Sequence, residues 1–253
     1  MTDADLPAPD PDEVRRIASA RERVLERIAG AATRVGRDPG AVRLVAVSKT
    51  VPPGRVRAGV AAGLTLLGEN RVQEAAGKIP EVPGATWHLV GPLQANKARR
   101  ATELFDVIES VHSVELAVRL ARLATEDGRP AARVLLQVNV DRDPAKSGFL
   151  PVDLERDAAR LADVAGLEVL GLMTIGRLAP DPEEARPTFV ALRELRDRLR
   201  AAWPDLGAEL SMGMTDDFVV AVEEGATIVR VGRALFGERP HDHDHGPSAP
   251  HHH

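Results

Sequence analysis

The chain of 253 residues carries a net charge of −5, from 33 basic and 38 acidic residues, and only 3% of it is aromatic. That balance gives no electrostatic footprint for nucleic acid or an anionic membrane, and no platform for stacking bases. Cysteine and tyrosine are both absent, which excludes disulfides, thiolate nucleophiles, cysteine zinc sites and a phenolic acid or base.

The first ten residues are rich in proline and aspartate and are expected to be disordered. The acidic start Met1-Thr2-Asp3-Ala4-Asp5 does not read as a signal peptide, and no run approaches the roughly 18 apolar residues of a membrane span. A cytoplasmic protein is expected. Asp10-Pro11-Asp12-Glu13 reads as a helix start, with Asp10 as N-cap and Pro11 at the first position. Val14, Ile17, Val24, Leu25 and Ile28 follow at helical spacing, and Gly36 and Pro39 close the segment.

From there the pattern alternates. Apolar runs near 42–48, 64–68, 86–90, 105–109, 133–139, 167–173, 208–212 and 227–231 predict strands. Helical patterns lie between them at 54–62, 71–79, 94–104, 114–126, 152–164, 183–202 and 216–224. The clearest stripe is Phe189, Leu192, Leu195 and Leu199. Strands alternating with helices over about 250 residues predict an α/β fold, a single (β/α)8 TIM barrel over 11–239 with an extra N-terminal helix. A doubly wound sheet is the alternative, but the first strand–helix turn lacks a G-x-G-x-x-G sequence. The His-rich tail, 240–253, is expected to be disordered and is assigned no site or metal.

Barrel sites gather at the C-terminal strand tips. The run Val45-Ala46-Val47-Ser48-Lys49-Thr50 ends in a lysine and is stopped by Val51-Pro52-Pro53-Gly54. Lys49 therefore stands at a tip, either as a functional amine or as a side chain snorkelling to water. Ser211 offers a hydroxyl, and Gly213 and Gly232 offer N–H groups near following helix starts, which together make an anion cradle. Arg230, between Val229 and Val231, is either half of an internal ion pair or a ligand contact. A lysine, an arginine and a phosphate cradle suit a phosphorylated carbonyl ligand. Pyridoxal phosphate fits all three, with its aldehyde toward lysine and its ring nitrogen toward arginine. A cofactor-free Schiff-base aldolase acting on a sugar phosphate remains open.

Several motifs carry a family resemblance: Ala46-Val47-Ser48-Lys49-Thr50, Gly68-Glu69-Asn70-Arg71-Val72-Gln73-Glu74, and the stretch Trp87 to Lys97. Lys146-Ser147-Gly148, Gly171-Leu172-Met173, Leu210 to Asp217, Val229-Arg230-Val231-Gly232 and Phe236-Gly237 continue it. From about residue 12 to 239 the chain resembles the YggS/PROSC family of pyridoxal phosphate homeostasis proteins. The resemblance implies a barrel like the N-terminal domain of alanine racemase, without the second domain that completes the racemase site, and hence a monomer. It implies that Lys49 holds the cofactor as a Schiff base and that Arg230 faces the pyridine nitrogen. Ser211, Gly213 and Gly232 would hold the phosphate, with Asn70 beside the cofactor. Where the family often has threonine after this glycine, the chain has Arg233, whose N–H still serves and whose guanidinium either pairs with phosphate or turns to solvent.

The same resemblance separates a carrier from an enzyme. Racemisation needs a second base across the cofactor from the lysine, a tyrosine in alanine racemase, and this chain has none. Outside the tail only His88 and His112 remain among eight histidines, and His88 reads as a hydrogen-bonded core residue. An arginine at the pyridine nitrogen keeps it unprotonated and weakens the ring as an electron sink. A non-enzymatic binder that buffers pyridoxal phosphate and passes it to apo-enzymes is expected, with a weak amino-acid racemase as the alternative. Glu69 reads as either a base or a rim ion pair. Lys97-Ala98-Arg99-Arg100 reads as a solvated helix face or, less simply, a docking patch.

Overall fold

The structure is a computed structural model that describes residues 6–177 and 179–237. The start of the predicted disordered N-terminus and all of the His-rich tail lie outside the described residues. Strands β1 (Arg43–Val47), β2 (Leu66–Glu69), β3 (Thr86–Leu89), β4 (Val107–Val111), β5 (Ala132–Gln137), β6 (Leu167–Met173), β7 (Glu209–Ser211) and β8 (Ile228–Val231) form a closed barrel in sequence order. Every pairing is parallel, and β1 closes on β8 with Ala46 opposite Val231. The predicted (β/α)8 barrel is the observed fold.

Helices α2 (Pro53–Ala61), α3 (Val72–Lys78), α4 (Ala98–Leu104), α5 (Val114–Glu126), α6 (Pro151–Ala162), α7 (Arg186–Ala202) and α8 (Phe218–Glu223) make the crossovers. The helix after β8, α9 (Arg233–Phe236), is only four residues long. The N-terminal helix α1 (Pro11–Arg34) packs against α2, α8 and α9 and so covers the barrel where α9 is too short. Its start is as predicted, for Asp10 caps the Asp12 N–H and Pro11 leads the helix. The pattern at 183–202 divides into a 3₁₀ turn, Pro182–Ala185, and α7, because Pro187 is tolerated only in the first turn of an α-helix. Among the described residues no helix is long and apolar enough to cross a membrane.

Alternation along the strands divides the core. Ala46, Leu67, Leu89, Leu172 and Val229 pack outward against the helices, while Val45, Leu135, Met173 and Ile228 fill the barrel interior. Among these apolar inward residues the barrel also buries polar ones, His88, Glu109, Ser211 and Arg230. That buried polar set positions the site.

Candidate functional site

Inward parity decides which polar side chains meet. Arg230 shares the inward face of Ile228 and is 4% exposed, deep in the barrel below the mouth. Its guanidinium donates to Ser211 Oγ at 2.6 Å and to the Thr174 carbonyl at 2.8 Å, and it lies 3.8 Å from Glu109. The Ser211 hydroxyl in turn donates to Glu109 Oε2 at 2.5 Å, and His88 Nδ1 meets Glu109 Oε1 at 2.6 Å. Arg230 thus has an internal partner within the barrel interior, the first of the two readings of its sequence position.

Burial drives the Arg230 pKa down, against the pull of Glu109 and Asp217. Burial also works to raise the Glu109 carboxyl, but His88, Arg230 and Ser211 outweigh it and hold Glu109 below the usual carboxylate range. His88 is a buried, hydrogen-bonded histidine, as its sequence context indicated. Glu109 was missed by sequence reasoning. The signal was available: a carboxylate inside the apolar run Val107-Ile108-Glu109-Ser110-Val111 needs a partner as much as Arg230 does.

Lys49 follows Val45 and Val47 in inward parity and is exposed at the rim of the mouth. Its neighbours on either side are fixed. The Ser48 N–H pairs with the Gly68 carbonyl at 2.9 Å, and Thr50 adopts φ +64°. Asn70, on the inward parity of Leu66 and Gly68, is half-buried at the next tip. Gly91 permits that placement, since a Cβ there would lie 2.2 Å from the Asn70 carbonyl oxygen. Glu69 points outward from the barrel and pairs with buried Lys78, so the ion-pair reading of Glu69 is the observed one.

Gly213 has φ +92°, and a Cβ on it would meet Ala221 at 2.5 Å, so the loop after β7 needs glycine here. Its carbonyl accepts from the Arg230 N–H at 2.9 Å, joining this loop to β8. Gly232 lies against the end of β1, where a Cβ would approach the Val47 carbonyl at 3.1 Å. Gly213, Gly232, Lys49 and Asn70 therefore follow the adjacent strands β7, β8, β1 and β2 on one side of the mouth. Arg233 is exposed, and its guanidinium pairs at 2.5 Å with Asp216 across the loops after β7 and β8. Of the predicted set, Ser211 and Arg230 are in contact. The Ser211 hydroxyl is engaged with Glu109 and Arg230, and the Arg233 side chain with Asp216. In the basic run, Arg99 pairs with Glu126 and Asp127 and Arg100 pairs with Glu103, as on a solvated helix face.

Residues 22–240 match the family model of the alanine racemase N-terminal domain. A pyridoxal phosphate homeostasis protein of Pseudomonas aeruginosa is 43% identical over 226 residues, covering 88% of this chain and 96% of that one. The chain belongs to the family of pyridoxal phosphate homeostasis proteins. The relative from Aquifex aeolicus is 42% identical over 219 residues, covering 86% of this chain and 96% of its own. The solved structure of PipY from Synechococcus elongatus, with pyridoxal phosphate bound, superposes with a TM-score of 0.74 at 43% identity. That match covers 85% of this chain and all of PipY. The family named from the motifs is the family found.

Proposed function

We propose that the chain binds pyridoxal phosphate at the barrel mouth and serves its cellular homeostasis by holding the cofactor and passing it to apo-enzymes. The observation that carries this reading is Arg230. It is buried on the inward face and locked in place by Ser211 and the Thr174 carbonyl. The donor set suits the cofactor: a primary amine at the rim, a fixed guanidinium below it, and glycine loops at neighbouring tips. Bound there, the cofactor offers an aldehyde to a primary amine, and Lys49 Nζ supplies that amine. Arg230 faces the ring nitrogen, and Ser211, expected from the motifs at the phosphate, is fully buried and instead keeps Arg230 there. Gly213, Gly232 and the Arg233 backbone hold the phosphate, and Asn70 lies alongside. The names of the relatives, and the pyridoxal phosphate bound in PipY, support the choice of cofactor.

Carrier function is favoured over racemisation by the disposition of bases. Among the described residues the histidines are His88, committed to Glu109, and His112, whose Nδ1 meets the Ser110 carbonyl at 3.2 Å. Arg230 as ring-nitrogen partner disfavours carbanion chemistry. The test is α-proton exchange in deuterated water by the loaded protein across the common amino acids, run beside cofactor transfer to an apo-transaminase. Transfer without exchange is the expected result. Exchange at an enzyme-like rate contradicts the carrier reading and restores the racemase.

A further inference from the structure

The backbone on both sides of Lys49 is gripped by side chains of one outer helix. Lys78 Nζ donates to the Ser48 carbonyl at 2.8 Å, immediately before the lysine. Glu74 Oε1 accepts the Thr50 N–H at 2.5 Å, immediately after it. Glu74 and Lys78 stand one turn apart on α3 and meet at 3.0 Å. Glu69 completes the cluster, accepting from Lys78 and, at 2.7 Å, from the Ser48 hydroxyl.

Two features indicate that the cluster serves position more than stability. Lys78 and Glu69 are almost fully buried, and Glu69 Oε2 has no hydrogen-bond partner among the described residues. A buried pair with an orphan oxygen is a poor route to stability, since an apolar pair of similar volume commonly does as well. Thr50, with φ +64°, is also one of only two non-glycine positive-φ residues among those described. A β-branched residue in that region is strained and persists only where its surroundings enforce it. A tight turn, closed by the Val51 N–H on the Ser48 carbonyl at 3.0 Å, places Thr50 at its third position, and the Glu74 carboxylate ties that turn to α3 through the Thr50 N–H.

We infer that Glu74 and Lys78 are positioning residues for Lys49, clamping Ser48 and Thr50 so that the lysine side chain projects over the barrel mouth. This rests on the reading of Lys49 as the residue that takes the cofactor. Without Glu74 the strained Ser48–Val51 turn keeps only its own backbone hydrogen bond, and Thr50 shifts toward negative φ and re-aims the residue before it.

The test compares wild type with Glu74→Ala, Glu74→Gln and the double variant Glu74→Ala/Thr50→Gly. Each is titrated with pyridoxal phosphate by absorbance, reduced with borohydride for peptide mapping, and melted without cofactor. Glu74→Ala is expected to bind about tenfold more weakly, the scale set by the left-handed cost at a non-glycine residue. Glu74→Gln keeps an acceptor oxygen and stays near wild type. Glycine at position 50 tolerates positive φ and recovers most of the lost affinity. Wild-type affinity in Glu74→Ala, or no recovery in the double variant, overturns the clamp while Lys49 is labelled. Absence of label on Lys49 in the wild type overturns the cofactor reading, and the clamp's role falls with it.

Discussion

Ser211 seats Arg230: its Oγ accepts from the guanidinium at 2.6 Å and donates to Glu109 at 2.5 Å. The arrangement holds a charged group still inside a barrel where it could not stay unpaired. Glu109 is the keystone, because it also takes His88. Glu109→Gln leaves Arg230 without its buried counter-charge, and a loss of about 3 kcal/mol in urea-unfolding free energy is expected. Cofactor affinity should fall with it, as Arg230 loses its fixed position.

The same carboxylate sets an acid limb. Glu109 is held below the usual range, so in the window between its folded and unfolded pKa the unfolded chain binds more protons. Stability therefore rises with pH there. The contribution is full above the unfolded glutamate value of about 4.3, and it is lost as pH falls through the lower folded value. Urea midpoints between pH 6 and pH 3 should drop more steeply in wild type than in Glu109→Gln; parallel slopes would contradict this.

Two glycines shape the mouth by making room. In Gly91→Ala the new Cβ meets the Asn70 backbone, and in Gly213→Ala it meets Ala221 at positive φ. Each is expected to cost about 1–3 kcal/mol in thermal or urea unfolding and to weaken cofactor binding. Gly84→Ala is the comparison. A Cβ there meets nothing within 4 Å, although φ is +78°, so it carries the backbone cost without the clash and should leave binding unchanged.

Arg233 and Asp216 form a pair in which both side chains are more than half exposed. Such pairs contribute little. Arg233→Ala should leave the melting temperature nearly unchanged and alter cofactor affinity by no more than about twofold, because the contact proposed for it is through its backbone and its side chain is engaged with Asp216. A larger loss that vanishes at high salt would show that the guanidinium leaves Asp216 for the phosphate.

The barrel was legible because its strands are short apolar runs bounded by turn residues and its crossovers are amphipathic. Lys49 and Arg230 stood out because a charge in or at the end of such a run needs a reason. Glu109 gave the same kind of signal at the end of the predicted run 105–109, but nothing local shows that it faces Arg230, four strands away around the barrel. The Lys78 clamp was not legible, because nothing local marks a lysine on α3 as buried. Only the packing of α3 beside the ends of β1 and β2 brings it to Ser48 and Glu69. Likewise, periodicity could not foretell that α1 fills the place left by a four-residue α9, for that depends on closure of the barrel.

The central claim is that Lys49 is the residue that bonds to pyridoxal phosphate. The most direct measurement is borohydride reduction of the cofactor-treated protein, followed by peptide mass mapping, in wild type and Lys49→Ala. A reduced pyridoxyl label on Lys49 that is lost in the variant, together with its absorbance band, is the expected result. Label confined to another lysine, or no label after saturating cofactor, would contradict it.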